Sequence, residues 1–344
     1  MRKRKTNLRK YLMLGLLLLS LFGEALQGHA EDQKSNQEVG YTVQAILPDT
    51  QIDQQKTFFY FQVRPREKQT IKVRITSTQK EPVTVVAKLT DAYTNGLAEI
   101  GYTEDKNLLD ASLTQPLSEI ATIPQSEITV ENFEAKDMEI EVASTESFAG
   151  IKLGALEFSN KEEQEADGVS SAYGYRIGLM IAEDAGKYEE AKQLNLVNVF
   201  PTLNHGKRAV ALNFQNPDPQ INKSMKFDVQ ITKADDDSFK KSLELENGRM
   251  APNSSFDLMV DWGLEQIQPG NYQVKAKVVS ASGIWEWTES FEITANQASK
   301  LNKEAAYNVT LPDWIKYVIV GLGIFWFVII GYLLTRRKRW NKGE

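Results

Sequence analysis

Few residues in this sequence have the types and spacing that catalysis requires. Cysteine is absent and only two histidines occur among the 344 residues. One of them, His29, lies in the N-terminal targeting signal described below. A Ser-His-Asp arrangement would therefore have to use His205, which lies in a Leu-Asn-His-Gly stretch typical of a turn. These counts also exclude thiolate and multi-histidine metal sites. We therefore predict no catalytic residue, no metal site and no cofactor.

Carboxylates are the abundant reactive group, with 46 Asp and Glu residues in the chain. Glycoside hydrolysis needs two of them facing one cleft, about 5 to 9.5 Å apart, and such a pair need not be close in sequence. A cell-wall glycan hydrolase that uses a carboxylate pair therefore stays open as an alternative.

Aromatic side chains are the better candidates for binding a partner. Phe58 and Tyr60 share one face of a short aromatic strand, opposite Phe59 and Phe61. We predict that Phe58 and Tyr60 are exposed and contact a partner. The tryptophans at 285 and 287 alternate with polar residues, which favours a place in the core.

The N-terminus carries a targeting signal. Basic residues precede an apolar run from Tyr11 to Phe22, and Gly28-His29-Ala30 offers the small residues that a signal peptidase reads. We predict that residues 1–30 are a cleaved signal peptide. An exported chain without cysteine suits a Gram-positive bacterium.

A second apolar segment lies near the C-terminus. Tyr317 to Thr335 holds no charge and would reach roughly 28 Å as a helix, which matches the bilayer core. Because the positive-inside rule places the basic residues after it in the cytoplasm, we predict a transmembrane helix over 314–335 and a cytoplasmic tail over 336–344. The predicted anchor residues are Trp314, Tyr317, Tyr332, Arg336, Arg337, Lys338 and Arg339.

The predicted localisation is therefore a bacterial cell membrane, with one span, an extracellular N-terminal ectodomain and a cytoplasmic C-terminus. The whole chain has a net charge of −6, and the signal and the segment from Trp314 each hold six basic residues and one acid, which leaves −16 between them. So acidic a region disfavours nucleic acid, whose phosphates require clustered Lys and Arg.

Period-two alternation of apolar and polar residues predicts β-strands along the exported region, interrupted by a polar break at 183–193. Turns are predicted at Asn95-Gly96 and Asn247-Gly248. We predict an all-β ectodomain of two tandem immunoglobulin-like β-sandwich domains, plus one C-terminal transmembrane helix. The predicted ranges are 39–182 and 194–295 for the sandwiches and 296–313 for a stalk.

Several motifs occur in an order that resembles a known family. Those in the first half are Phe59 to Pro65, Lys68-Gln69-Thr70, Asp91 to Gly96, Ile100, Tyr102 and Gly150 to Gly154. Those in the second half are Asn216-Pro217, Met250 to Phe256, Pro269 to Tyr272 and Trp285-Glu286-Trp287. Together they are similar to the N-terminal and C-terminal domains of the WxL-interacting proteins of low-GC Gram-positive bacteria.

The resemblance implies a non-enzymatic adhesion and scaffold protein of the cell surface. Its first domain would bind cell-wall peptidoglycan and its second would bind host extracellular proteins, acting with WxL-domain surface proteins. Tyr93 and Tyr102, which lie in the shared motifs, join Phe58 and Tyr60 as partner-binding candidates. A membrane sensor is a further alternative, although the short predicted tail has no room for an output domain.

Overall fold

A computed structural model describes residues 39–161, 174–185, 190–306, 315, 318 and 320–330. Within these ranges β-strands dominate, as the alternation predicts. From Gly40 onward the described chain forms one compact unit. Two sheets lie in its N-terminal half and two in its C-terminal half. The assignment of each half to the immunoglobulin class stays a prediction.

The N-terminal half contains a four-stranded and a six-stranded sheet. Its strands are β1 (Tyr41–Ile46), β2 (Phe59–Gln62), β3 (Gln69–Ser77), β4 (Val83–Thr94), β5 (Ile100–Thr103), β6 (Ala121–Thr122), β7 (Glu127–Val130), β8 (Ala135–Val142), β9 (Ile151–Asn160) and β10 (Gly174–Ala182). A 3₁₀ turn covers Lys106–Leu108 and a short helix, α1, covers Leu117–Ile120. The four-stranded sheet has the order β1-β3-β8-β6, and the six-stranded sheet has the order β2-β10-β9-β4-β5, with β7 also paired to β4.

Burial follows the predicted alternation. In β3, Ile71, Val73 and Ile75 are at most 1% exposed. The residues between them face solvent, where Lys72 and Arg74 form ion pairs with acidic residues of β8. One face of each strand therefore supplies the core, and the other carries charge pairs that contribute little to stability.

The C-terminal half contains a three-stranded and a four-stranded sheet. Its elements are β11 (Asn195–Asn204), β12 (Lys207–Asn216), β13 (Asn222–Lys233), β14 (Asp236–Met250), β15 (Ser254–Asp261), β16 (Gly270–Ser280), β17 (Gly283–Ile293) and α2 (Ala295–Glu304). The sheet orders are β11-β12-β15 and β14-β13-β16-β17. The sheets pack face to face, since Phe214 of β12 and Phe227 of β13 approach within 5.3 Å between ring centroids.

Helix α2 forms the first part of the range predicted as a stalk, and it packs on the C-terminal sheets. Ala298 is 3% exposed within their core. Arg208, 2% exposed, donates from Nε to Asn302 Oδ1 at 2.8 Å. Asn302 also accepts from the Ile267 N–H and donates to the Ile267 carbonyl. These contacts tie the helix to β12 and to the loop between β15 and β16, while residues 307–313 lie outside the described part of the chain.

A buried contact joins the two halves at the turn between β4 and β5. Ala98 in this turn is fully buried among the core residues of the C-terminal half. Its carbonyl accepts from the Arg249 N–H at 2.7 Å. The Thr94 hydroxyl accepts from the Ala251 N–H at 3.0 Å and lies 2.6 Å from Ser254 Oγ. These hydrogen bonds fix the end of β14 relative to the six-stranded sheet.

The predicted turn at Asn247-Gly248 is wrong, because both residues lie inside β14. Asn247 has a φ of 60°, and the register of β14 with β13 shifts on either side of Gly248. The pair therefore forms part of a β-bulge. An Asn-Gly sequence satisfies the same positive-φ requirement in a bulge as in a turn, so the two cannot be told apart by composition.

The predicted transmembrane helix and single-pass membrane localisation are contradicted. Among the described residues, no helix is long and apolar enough to cross a membrane. The predicted signal, residues 1–30, lies outside the described chain, as do Trp314, Tyr317, Tyr332, Arg336, Arg337, Lys338 and Arg339.

Candidate functional site

A groove of about 800 Å³ lies between the outer face of the six-stranded sheet and the bulged ends of β13 and β14. This volume is in the usual range for ligand sites. Cross-strand neighbours form its floor: Tyr60 of β2 lies opposite Met180 of β10, which lies opposite Leu153 of β9. Tyr102 of β5 and Arg176 of β10 extend this floor.

The Gln51 side chain positions the two aromatic residues at one end of the groove. Its Nε2 donates to the Phe58 carbonyl at 3.0 Å, and its Oε1 accepts from the Tyr60 N–H at 3.0 Å. The Phe58 ring lies over Gly178, at a distance where an added Cβ would make ordinary van der Waals contact with it. Tyr60 is 6% exposed, so it is more buried than predicted. Burial raises the pKa of its hydroxyl, and the carboxylates of Asp184 and Asp53 add to this effect.

Tyr102 forms the opposite end with a cationic neighbour. The Arg176 guanidinium carbon lies 5.1 Å from the centroid of the Tyr102 ring, a cation–π distance. Glu157 holds Arg176 there through contacts of 2.6 and 2.8 Å to Nη2 and Nε. Burial raises the pKa of the Tyr102 hydroxyl, although the charges of Arg176 and Arg249 act in the opposite direction.

Tyr93 lies on the other face of the same hairpin. It pairs with Gly101 across the ladder, whereas Tyr102 pairs with Ala92. Residues directly opposite each other share a face, so the Tyr93 ring covers Gly101 and points away from Tyr102. The structure thus brings three of the four candidate residues into one groove and leaves Tyr93 out of it.

Two successive β-bulges shape the wall of the groove that comes from the C-terminal half. Asn222 pairs with Met250 and Met225 with Gly248, so Lys223 and Ser224 together lie opposite Arg249. Ser224 has a φ of 51°. Bulges of this kind bend a strand and redirect its side chains. Here Lys223 and Arg249 both line the groove, beside Ile221.

The groove is cationic although the chain as a whole has a net charge of −6. Its described lining contains four basic side chains, Lys56, Arg176, Lys223 and Arg249, and one carboxylate, Asp53. A local excess of one sign in a concave surface raises the concentration of ligands of the opposite sign. The arrangement of aromatic rings next to cations therefore fits a ligand that combines an apolar face with negative charge.

Sequence reasoning missed Arg176, Lys223 and Arg249. They are three of 40 Lys and Arg residues, and no local motif marks them. Lys223 and Arg249 line the groove because bulges in β13 and β14 redirect their side chains. The Arg249 N–H also bonds to the carbonyl of Ala98, about 150 positions earlier in the chain. The Asn247-Gly248 pair, in which Asn247 has a positive φ, was the one available signal, and it indicates backbone shape and not a ligand.

Family profiles match most of the described chain. The profile described as WxL Interacting Protein, peptidoglycan binding domain, matches residues 41–160. The profile described as WxL Interacting Protein, host binding domain, matches residues 164–303. The second match begins before β10, which the structure pairs with β2 and β9 of the N-terminal half. A comparison with curated protein sequences finds no significant match.

Several chaperone structures are similar to this chain. The YadV chaperone has 11% identity over 73% of this chain and 100% of its own, with a TM-score of 0.30. The E. coli chaperone DraB has 14% identity over 74% and 98%, with a TM-score of 0.30. The CsuC–CsuE complex of Acinetobacter baumannii has 13% identity over 74% and 98%, also with a TM-score of 0.30. Scores of this size carry no assignment of function.

The two profiles occur in the order that the sequence motifs predicted, and they cover strands of both halves. They point to a binding protein of the cell surface, which replaces the contradicted single-pass membrane localisation. The family resemblance drawn from the motifs is confirmed. The chain belongs to the WxL-interacting protein family.

Proposed function

We propose that the chain is a non-enzymatic scaffold that binds peptidoglycan in the groove described above. The observation that carries this proposal is the combination of Phe58, Tyr60 and Tyr102 with four cations in one concave surface. Sugar rings have apolar faces that pack on aromatic rings, and the peptide stems of the wall carry carboxylates that cations attract. Most floor residues also lie within 41–160, the range matched by the peptidoglycan-binding profile.

The hydrolase alternative receives less support from this lining. Hydrolysis would need a second carboxylate facing Asp53 across the groove, at one of the glycosidase separations. On the other elements of the described lining, the charged side chains are Arg176, Lys223 and Arg249, and none of them is a carboxylate. Cations there favour holding an anionic ligand over protonating a glycosidic oxygen.

We assign the C-terminal half, with its match over 164–303, to protein partners: host extracellular proteins and WxL-domain surface proteins. Its sheets are stabilised by their own aromatic core, so it can present a firm surface to such partners. Affinity capture with the full chain from a surface extract of the source bacterium, read by mass spectrometry, tests this assignment. Failure to recover any WxL-domain protein would remove that partner.

The wall-binding proposal is tested by sedimenting the purified full chain with insoluble peptidoglycan and measuring the bound fraction. Tyr102→Ala removes a ring from the groove. We expect it to weaken binding by about tenfold or more, as for a central aromatic contact.

Tyr93→Ala is the matched control, because Tyr93 lies on the same hairpin but on the opposite face of the sheet. It should leave binding as in the wild type. If the wild-type chain does not sediment with peptidoglycan, the chain does not bind the wall by itself. If both tyrosine variants bind like the wild type, the groove is not the wall site.

A further inference from the structure

The four cations of the groove are not equivalent. Arg176 is engaged by Glu157 at 2.6 Å, and Lys56 lies 3.8 Å from Asp53. Arg249, in contrast, has an exposed side chain and forms no ion pair with a described residue. Its guanidinium therefore keeps its full charge and all of its donors for a ligand.

The backbone of Arg249 is held firmly even though no acidic side chain among the described residues pairs with its guanidinium. The bulge opposite Lys223 and Ser224 sets the direction of the strand there. The Arg249 N–H donates to the Ala98 carbonyl at 2.7 Å, a bond that anchors the strand to the N-terminal half. Because the main chain is already fixed, only the Arg249 side chain has to be ordered when it forms a bidentate contact with a carboxylate.

On this geometry, and resting on the proposed wall function, we infer that Arg249 receives a free carboxylate of a peptidoglycan stem peptide while the aromatic floor holds the adjoining sugar or apolar part. The site is then composite. The N-terminal half supplies the floor, and the C-terminal half supplies the charge that recognises the anion. The range matched by the peptidoglycan-binding profile, 41–160, would hold only part of it.

The inference also sets the chemical preference of the site. A stem whose carboxylates have been converted to amides keeps its shape and sugars but offers no anion to Arg249. Such a ligand should bind more weakly, and the difference should shrink at high salt because the contact is partly electrostatic. Phosphate polymers attached to the wall are the competing source of negative charge.

The test compares native peptidoglycan with peptidoglycan whose carboxyl groups have been coupled to methylamine, using the full chain in sedimentation binding. For the wild type, we expect amidation to weaken binding about tenfold. Arg249→Ala should weaken binding to native peptidoglycan by a similar factor and should be insensitive to amidation, because the two changes remove the same contact. Arg249→Lys should recover part of the loss, since it keeps the charge but not the bidentate fork.

Arg64→Ala is the control for overall charge, because its side chain is 78% exposed and lies outside the groove lining. It should bind like the wild type. Arg249→Ala should also fold normally, because the hydrogen bond to Ala98 uses the main chain. A melting temperature equal to that of the wild type would verify this.

The outcomes separate the two proposals. If Tyr102→Ala weakens wall binding but Arg249→Ala does not, the wall site stands and the role of Arg249 is overturned. The same holds if Arg249→Ala remains as sensitive to amidation as the wild type. If removal of wall phosphate by acid abolishes binding while amidation has no effect, the ligand anion is a phosphate and the carboxylate inference is overturned.

Discussion

The two halves of the molecule use their aromatic residues differently. In the C-terminal half they contact one another in the interior: Phe214 with Phe227, Phe256 and Trp287, and Tyr272 with Trp262, Phe239 and Phe291. In the N-terminal half, Phe59 and Phe61 are fully buried, but Phe58 and Tyr102 are partly accessible in the groove.

This difference separates the residues that stabilise the fold from those available for recognition. Without cysteine, no disulfide can constrain the chain, so apolar burial must supply the stability. In the C-terminal half that burial lies in one apolar core, which contains two groups of mutually contacting rings. In the N-terminal half, one face of the six-stranded sheet lines the groove, so the rings on that face are accessible to a ligand.

The largest expected effect comes from breaking the aromatic core of the C-terminal half. Trp262 is 1% exposed and packs against Phe239 and Tyr272. Trp262→Ala should destabilise this half by about 3 to 5 kcal/mol, because it leaves a large cavity. Chemical denaturation followed by circular dichroism measures the loss.

Trp287→Ala is the companion variant, since Trp287 is only partly buried although it contacts Phe214 at 5.7 Å. Its cost should be smaller than that of Trp262→Ala. Tyr102→Ala, in the groove, should cost less stability than either and should act mainly on binding. Equal losses of stability for all three would contradict the division between core and groove.

An intermediate effect is expected at the contact between the halves. Thr94 is 3% exposed, and its hydroxyl accepts from the Ala251 N–H at 3.0 Å. Thr94→Val keeps the shape but leaves that buried N–H without an acceptor, which should cost about 1 to 3 kcal/mol. Thr84→Val is the control, because Thr84 makes an exposed hydroxyl contact with Thr129 at 2.9 Å.

The Thr84→Val control should change the free energy of unfolding by less than about 0.5 kcal/mol. Because Ala251 adjoins the end of β14, the Thr94 variant should also weaken wall binding through Arg249. A Thr94→Val protein that is destabilised but binds normally would show that the contact supports the fold without positioning the groove.

Much of the fold was predictable because strand alternation is a local signal. The pattern of Ile71, Val73 and Ile75 requires only that one face of β3 be buried, and the structure confirms it. The C-terminal bulges were not predictable, because a register shift depends on how two strands pair. The packing of helix α2 on the sheets was not predictable either, because its polar sequence does not reveal that Asn302 would bond to Arg208.

The groove was predictable only in part. Side-chain parity along the strand distinguished Phe58 and Tyr60 from Phe59 and Phe61, and this face does line the groove. Parity could not show that Tyr93 and Tyr102 face opposite ways, because that depends on their pairing across the hairpin. Nor could it place Arg249, which arrives from a distant strand.

The smallest expected effect is a pH dependence at a second contact between the halves. Asp110 accepts from the Ser112 N–H at 2.9 Å and from Gln215 Nε2 of the C-terminal half at 3.0 Å. Burial acts to raise the pKa of this carboxyl, but hydrogen bonds from Ser112, Ser255 and Gln215 together outweigh it and lower the pKa below its ordinary value of 3.8.

A lowered pKa in the folded state means that the unfolded state binds the proton more readily. Asp110 therefore contributes stability that is fully present above its ordinary pKa and is lost as the pH falls through the folded value. Thermal unfolding should show this loss as the pH falls below about 4. Asp110→Asn should lose less stability over that range of pH. Gln215→Ala, which removes the hydrogen bond supplied by the C-terminal half, should also reduce the loss. If both variants follow the wild-type profile, Asp110 does not couple the halves through its charge.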